Sequence, residues 1–171
     1  MIKGNKVMLR AWGVEDLGML RDMRNDLSLQ RQLMAHPRGN SLDQVRDWLA
    51  ARTKLPDGVF LVIVGQPSGE MAGYIQAVGM DHINGFGRIG ICIAPGFQGK
   101  GYGGEAMALL ESYLKEVFGI RKLMLEVLAD NAVAIGMYLK HGYREVGRLQ
   151  QHFYYDGEYA EVVIMEKLTL L

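Results

Sequence analysis

Cysteine occurs once in the chain, at Cys92. Without a second thiol there is no disulfide framework and no Cys-x-x-Cys metal site, which suits a reducing compartment and sets the expectation of a cytoplasmic protein. Long hydrophobic runs are also missing. No apolar stretch reaches the roughly 18–20 residues needed to span a bilayer, and the opening stretch Met1–Arg10 has no long apolar segment of the signal-peptide kind. Charge of neither sign is in excess, with 19 Lys and Arg against 19 Asp and Glu, balanced in each half. That evenness gives no footprint for nucleic acid or membrane and points to a small molecule, or one local feature of a macromolecule, as partner. The histidines (His36, His82, His141, His152) are dispersed without metal-ligand spacing, so no metal is expected.

What is present is a chain of 171 residues, 49% hydrophobic, enough to bury the core of one domain over residues 1–171. Apolar periodicity predicts a strand at Val7–Ala11, a helix over about Val14–Asp26, and a second helix opened by the capping-box pair Ser41 and Gln44. Strands follow at Val59–Val64, Met71–Met80 and Arg88–Ala94, with short turns that favour antiparallel hairpins. Ala106, Leu109, Leu110, Tyr113, Leu114 and Val117 mark an amphipathic helix ending near Gly119. Lys122–Leu128 reads as a strand, Asn131–Lys140 as a helix capped by Asn131, and Tyr143–Tyr155 with Tyr159–Leu168 as a hairpin about an Asp156-Gly157 turn.

Chemistry concentrates between the third hairpin strand and the long helix. Residues 98–104 read QGKGYGG, and Gly99, Gly101 and Gly104 satisfy a G-x-G-x-x-G pattern. Glycines admit a ligand close to the backbone, the following helix aims its unpaired N–H groups at it, and Lys100 adds charge, so the loop suits a phosphate. A dinucleotide is the first candidate, and Glu126 stands roughly 20 residues on, where a ribose-binding acid belongs. Topology opposes it: the chain after Glu126 predicts one helix and a hairpin rather than further strand–helix units. A Walker A loop also fails, because Gly101 rather than Ser or Thr follows Lys100.

The run QGKGYG at residues 98–103 resembles the Gln/Arg-x-x-Gly-x-Gly/Ala acetyl-CoA loop of the GNAT N-acetyltransferase superfamily. The segment LEVLADNAVAIGMYLKHGY resembles that superfamily's next strand and helix, in the same order and spacing. The element order fits most closely the branch of ribosomal-protein N-terminal, spermidine and amino-sugar acetyltransferases. The resemblance implies an α+β (mixed α/β) fold. Its central sheet is mixed, mostly antiparallel and of about seven strands, with four helices, and it splays between the fourth and fifth strands.

It also implies roles, residue by residue. The backbone of Gln98, Gly99, Lys100, Gly101, Tyr102, Gly103 and Gly104 would cradle the pyrophosphate of acetyl-CoA, the co-substrate. The strand carrying Ile91, Cys92 and Ile93 would pair with pantetheine and polarise the acetyl carbonyl. Asn131 and Ala134 would contact the pantetheine arm, and Tyr138, about two helical turns from Asn131, would donate a proton to the departing thiolate. Many relatives carry a glutamate where this chain has Arg88, so a catalytic carboxylate is excluded there; Glu126 is the substitute base, with a paired structural carboxylate as its alternative reading. Cys92 reads as a small hydrophobe rather than a nucleophile. Arg24, Asn25 and Tyr154 are the substrate-binding candidates. The implied activity is direct transfer of acetyl from acetyl-CoA to a primary amine of a small molecule or amino sugar. Protein N-termini or polyamines are the alternative acceptors, and a non-catalytic acyl-CoA sensor is the alternative class. Many members are homodimers, and the terminal hairpin offers an edge for pairing.

Overall fold

The structure is a computed structural model that describes residues 1–169. The expected domain extends to residue 171, so its last two positions lie outside the described residues. Strands β1 (Ile2–Lys3), β2 (Val7–Arg10), β3 (Val59–Gly65), β4 (Met71–Asp81), β5 (Phe86–Ile93), β6 (Lys122–Leu128), β7 (Arg144–Tyr155) and β8 (Glu158–Leu168) form one sheet. Its order is β1-β2-β3-β4-β5-β6-β8-β7. Among the described residues five α-helices accompany it: α1 (Leu17–Asn25), α2 (Leu27–Gln32), α3 (Leu42–Thr53), α4 (Tyr102–Phe118) and α5 (Ala132–Lys140). All pairings are antiparallel except that of β5 with β6, which α4 connects as a crossover. Among the described residues no helix is long and apolar enough to cross a membrane.

The mixed, mostly antiparallel sheet matches the expected architecture, with two additions. The pair Ile2–Lys3 adds a short edge strand, and a further short helix, α2, follows directly where the first predicted helix ends. The boundary falls at Asp26, whose extended backbone ends α1 and whose side chain accepts the Leu29 N–H at 2.9 Å, starting α2. An acid that caps the next helix breaks the one before it. The Ser41–Gln44 capping box is present in both directions, at 3.2 and 2.8 Å. Asp156 and Gly157 both adopt positive φ, as a tight two-residue hairpin turn demands.

Each face of the sheet buries its own core. Beneath α4 and α5 lie Ala106, Met107, Leu110 and Leu114 with Leu123, Leu125, Val127 and Ile89. Beneath α1 to α3 lie Leu20, Leu49, Val62, Tyr74 and Cys92. The buried stripe of α4 includes Met107 and leaves Val117 58% exposed, so it is rotated from the predicted one. Leu110 is fully buried at its centre. Replacing it by Ala is expected to cost about 3 kcal/mol in chemical denaturation, from lost burial plus the cavity left behind.

Candidate active site

The site begins where the sheet comes apart. Phe86, Gly87 and Arg88 pair with Lys122, Leu123 and Met124, and beyond them β5 and β6 no longer hydrogen-bond. This is the expected splay, and it frees one edge of β5. The Ala94 N–H donates to Ala72 O at 2.9 Å, so by strand alternation Cys92 also turns its backbone toward β4. The close approach of the Cys92 carbonyl to Gly73 agrees. Ile91 and Ile93 therefore direct their N–H and C=O groups into the slot, whereas the backbone of Cys92 is committed to the ladder.

A cleft of about 1360 Å³ runs through this opening. Side-chain alternation divides its walls between the two faces of the sheet. Ile91 and Ile93 lie with Tyr138 on the α4/α5 face, while Arg88, Gly90 and Cys92 lie on the α1/α3 face. On β6, Leu125 and Val127 point into the α4/α5 core, so Glu126 projects to the other side. The split is a passage between faces.

At one end of the cleft the glycine loop meets the start of α4. Gln98 pins it by donating its Nε2 to Ile93 O at 2.9 Å. Gly99 and Gly101 take φ of 74° and 80°, a left-handed conformation that side chains resist, and Gly101 is the N-cap of α4. The first N–H groups of the helix are then left without intrahelical acceptors, and the helix dipole favours an anion there. Gly103 and Gly104 serve packing: a Cβ would stand 3.1 Å from Met137 Sδ in the first case and 2.4 Å from His141 Nε2 in the second. Their bareness holds α4 close to α5. Tyr102 lines the cleft and lies against Gly65 and the Phe97 ring. Lys100 stays outside the lining, with its Nζ 5.0 Å from the Phe97 ring centroid, and Lys6 donates to Lys100 O. Glu105, which sequence reasoning passed over, accepts the N–H groups of Asn5, Lys6 and Val7 at 3.0, 2.7 and 2.7 Å. Burial alone would raise its pKa, but these donors and Lys6 bring it below the usual carboxylate range. It ties the β1–β2 turn to the base of the loop.

Along the α4/α5 face, Asn131 caps α5 by accepting the Ala134 N–H at 3.2 Å, which leaves its amide donors free toward the cleft. Tyr138 is 7% exposed and packs 5.8 Å from the Tyr143 ring. Burial pushes its phenol up to about 12, so at neutral pH it is a proton donor. Its hydroxyl has no hydrogen-bond partner among the described residues. Across the slot Glu126 is exposed, and among the described residues it forms no ion pair or hydrogen bond, unlike a structural carboxylate.

The α1/α3 face contains residues that sequence reasoning missed. Arg24, which it named, stacks over the Trp48 ring at 4.1 Å, with Arg52 at 5.8 Å from the same ring. Arg52 donates to Gln76 Oε1 at 3.1 Å, and Trp48 meets Tyr74 edge-on. The available signal was Gln76, an amide between Ile75 and Ala77 in an otherwise apolar run. Two predicted substrate residues stand elsewhere. Asn25 is exposed and exchanges hydrogen bonds with Asn40, holding the following loop against α1. Tyr154 is 50% exposed and pairs with Tyr159 across the hairpin, outside the cleft lining. Cys92 reaches the cleft only from the α1/α3 face, beside Tyr74, and burial pushes its thiol up to about 12. It is expected to resist iodoacetamide near neutral pH in the folded protein and to react once unfolded, as intact-mass measurement will show.

The family model described as the acetyltransferase (GNAT) family matches residues 20–143. Spermidine N(1)-acetyltransferase of Escherichia coli strain K12 is 28% identical over 165 residues, covering 96% of this chain and 87% of the relative. Its Vibrio cholerae counterpart is 23% identical over 158 residues, covering 92% and 90%. The crystal structure of spermidine N-acetyltransferase from Vibrio cholerae in complex with CoA and spermine superposes with a TM-score of 0.89. It covers 96% of each chain at 22% identity, a likeness of fold.

Proposed function

The chain belongs to the GNAT acetyltransferase family, and we propose that it moves the acetyl group of acetyl-CoA directly to a primary amine of a small molecule. The observation that carries this reading is the passage through the sheet at the β5/β6 split. Tyr138 stands on one side of it and Glu126 on the other, and neither group has a partner among the described residues. Acetyl-CoA is the co-substrate, and the residues suit it. The N–H groups around Gln98–Gly104 and the α4 N-terminus serve a pyrophosphate. The free edge of β5 at Ile91, with the Ile93 N–H, accepts an extended amide-bearing arm as a further strand would.

Glu126 takes the proton of the incoming ammonium, directly or through water, because an alkyl ammonium titrates near pH ~10.4 and only the free amine attacks. The amine nitrogen then bonds to the acetyl carbon while a backbone N–H at Ile91 or Ile93 stabilises the charge on the carbonyl oxygen. As the carbon–sulfur bond breaks, Tyr138 gives its proton to the leaving thiolate; the nitrogen loses its second proton through water, which restores the phenol, and Glu126 releases the first to solvent. The same reading places the protein in a reducing cytoplasm and pairs two copies through the free edge of β7.

The relatives that share 28% and 23% identity are named for spermidine, which favours a polyamine. An initial-rate screen of thiol release from acetyl-CoA over polyamines, amino sugars, amino acids, amino phosphates and short peptides tests the reading. Release with at least one class is expected; binding of acetyl-CoA with no release for any amine would make the chain an acyl-CoA sensor.

A further inference from the structure

Six of the arginines, Arg10, Arg21, Arg31, Arg46, Arg144 and Arg148, each face a carboxylate in an ion pair. Arg121, outside the cleft, donates to Asn84 O instead, and Arg24, Arg52 and Arg88 do not face one either. Among the described residues these three have no acidic partner, and all three line the cleft on its α1/α3 face. Arg38, also without one, shares a smaller adjoining hollow of about 240 Å³ with Arg24. The only carboxylates in the cleft wall among the described residues are Glu105, occupied by three backbone N–H groups, and Glu126.

Two of these guanidinium groups are held in place, while Arg88 is exposed at the mouth of the wall. Arg24 and Arg52 stack on Trp48, Arg52 is bonded to Gln76, and Arg24 Nε donates to Asn40 Oδ1 at 3.2 Å. Stacking and amide contacts orient the guanidinium groups without neutralising them. Burial, with a further contribution from Arg52, pulls Arg24 below its ordinary pKa. Two half-buried like charges, Arg24 and Arg52, with Arg88 exposed beside them, favour an occupant that supplies the opposite charge. The phosphates of the co-substrate are poorly placed to do so. Their loop follows the far end of β5, roughly 16 Å of strand from Arg88.

Resting on the acetyltransferase reading, we propose that the acceptor is bipolar. Its amine faces Glu126, and an anionic group on the same molecule, carboxylate or phosphate, is bound by Arg52 and Arg88 with Arg24 behind them. A polycation such as spermidine meets three unneutralised guanidinium groups at this wall and one carboxylate.

Matched amines test this by CoA release: ethanolamine against phosphoethanolamine, histamine against histidine, and spermidine as the polycation. The expected result is a kcat/KM at least about tenfold higher for the anionic member of one pair, which also tells phosphate from carboxylate, with spermidine slower than that member. Arg52→Met and Arg88→Met should each lower the anionic-to-neutral ratio about tenfold. In the unmodified enzyme, added salt should raise KM for the anionic member and not for its neutral partner, a readout that needs no variant. Release that is equal within each pair, or fastest with spermidine, overturns the bipolar acceptor and leaves the acetyltransferase standing. No release with any amine overturns both.

Discussion

Tyr138→Phe is expected to lower kcat by about a hundredfold, the usual contribution of a positioned general acid, with KM for acetyl-CoA changed less than about threefold. The substitution removes one oxygen from a buried ring that makes no hydrogen bond among the described residues, so the core stays filled and stability should hardly move. The pH profile adds a second readout. Because burial raises the phenol to about 12, Tyr138 remains protonated throughout the range in which the amine loses its proton. In the unmodified enzyme kcat/KM should therefore climb as pH rises, with no alkaline decline from this group below about that value. A fall in rate beginning near pH 10, the ordinary tyrosine value, would mean that the hydroxyl is solvated and badly placed to serve the thiolate.

Gly101→Val is expected to raise KM for acetyl-CoA by about tenfold to a hundredfold while kcat at saturation changes far less. Gly101 sits at φ of 80° as the N-cap of α4, and a Cβ there would stand 2.9 Å from Lys6 Nζ. A β-branched residue forced into this left-handed conformation costs roughly 1–3 kcal/mol, relieved by rotating the loop and its N–H groups away from the anion. Gly69→Val gives the control. That glycine has a similar φ of 74° and open space around it in the β3–β4 turn. It should lose stability but keep its KM for acetyl-CoA, which separates backbone strain in general from strain at this loop.

These two residues belong to the part of the candidate site that is legible in the sequence, for a physical reason. A glycine loop, the helix it opens, and two side chains two turns apart on one helix are local patterns, and they survive whatever the rest of the chain does. The hairpin at Asp156-Gly157 and the capping box at Ser41 are legible on the same ground. The α1/α3 face is a different case. Arg24, Trp48 with Arg52, Gln76 and Arg88 come from α1, α3, β4 and β5, and they meet only because the β4–β5 register sets Gln76 opposite Gly90 and Val78 opposite Arg88. Asn25 shows the limit from the other side. It neighbours Arg24 in sequence, but the helical turn between adjacent residues carries its side chain to Asn40 and out of the cleft. Similarly, Tyr154 has the right chemistry for stacking on a ligand and a position on the hairpin that spends it on Tyr159.

Cys92 bears on the route of the acetyl group. A covalent detour would need a thiolate at the slot, whereas this thiol is buried beside Tyr74, is raised to about 12, and has its backbone turned toward β4. Direct transfer as proposed needs only Tyr138 as acid, Glu126 as base and the free edge of β5, all of which border the passage.

A single-turnover quench with acetyl-labelled acetyl-CoA and the amine that releases CoA fastest tests direct transfer at the split. Label should pass to the amine at the same rate as CoA appears, with none retained on the protein at any time, and Tyr138→Phe should slow both together. Label accumulating on the protein before it reaches the amine, or CoA released with no labelled amine formed, would contradict the account.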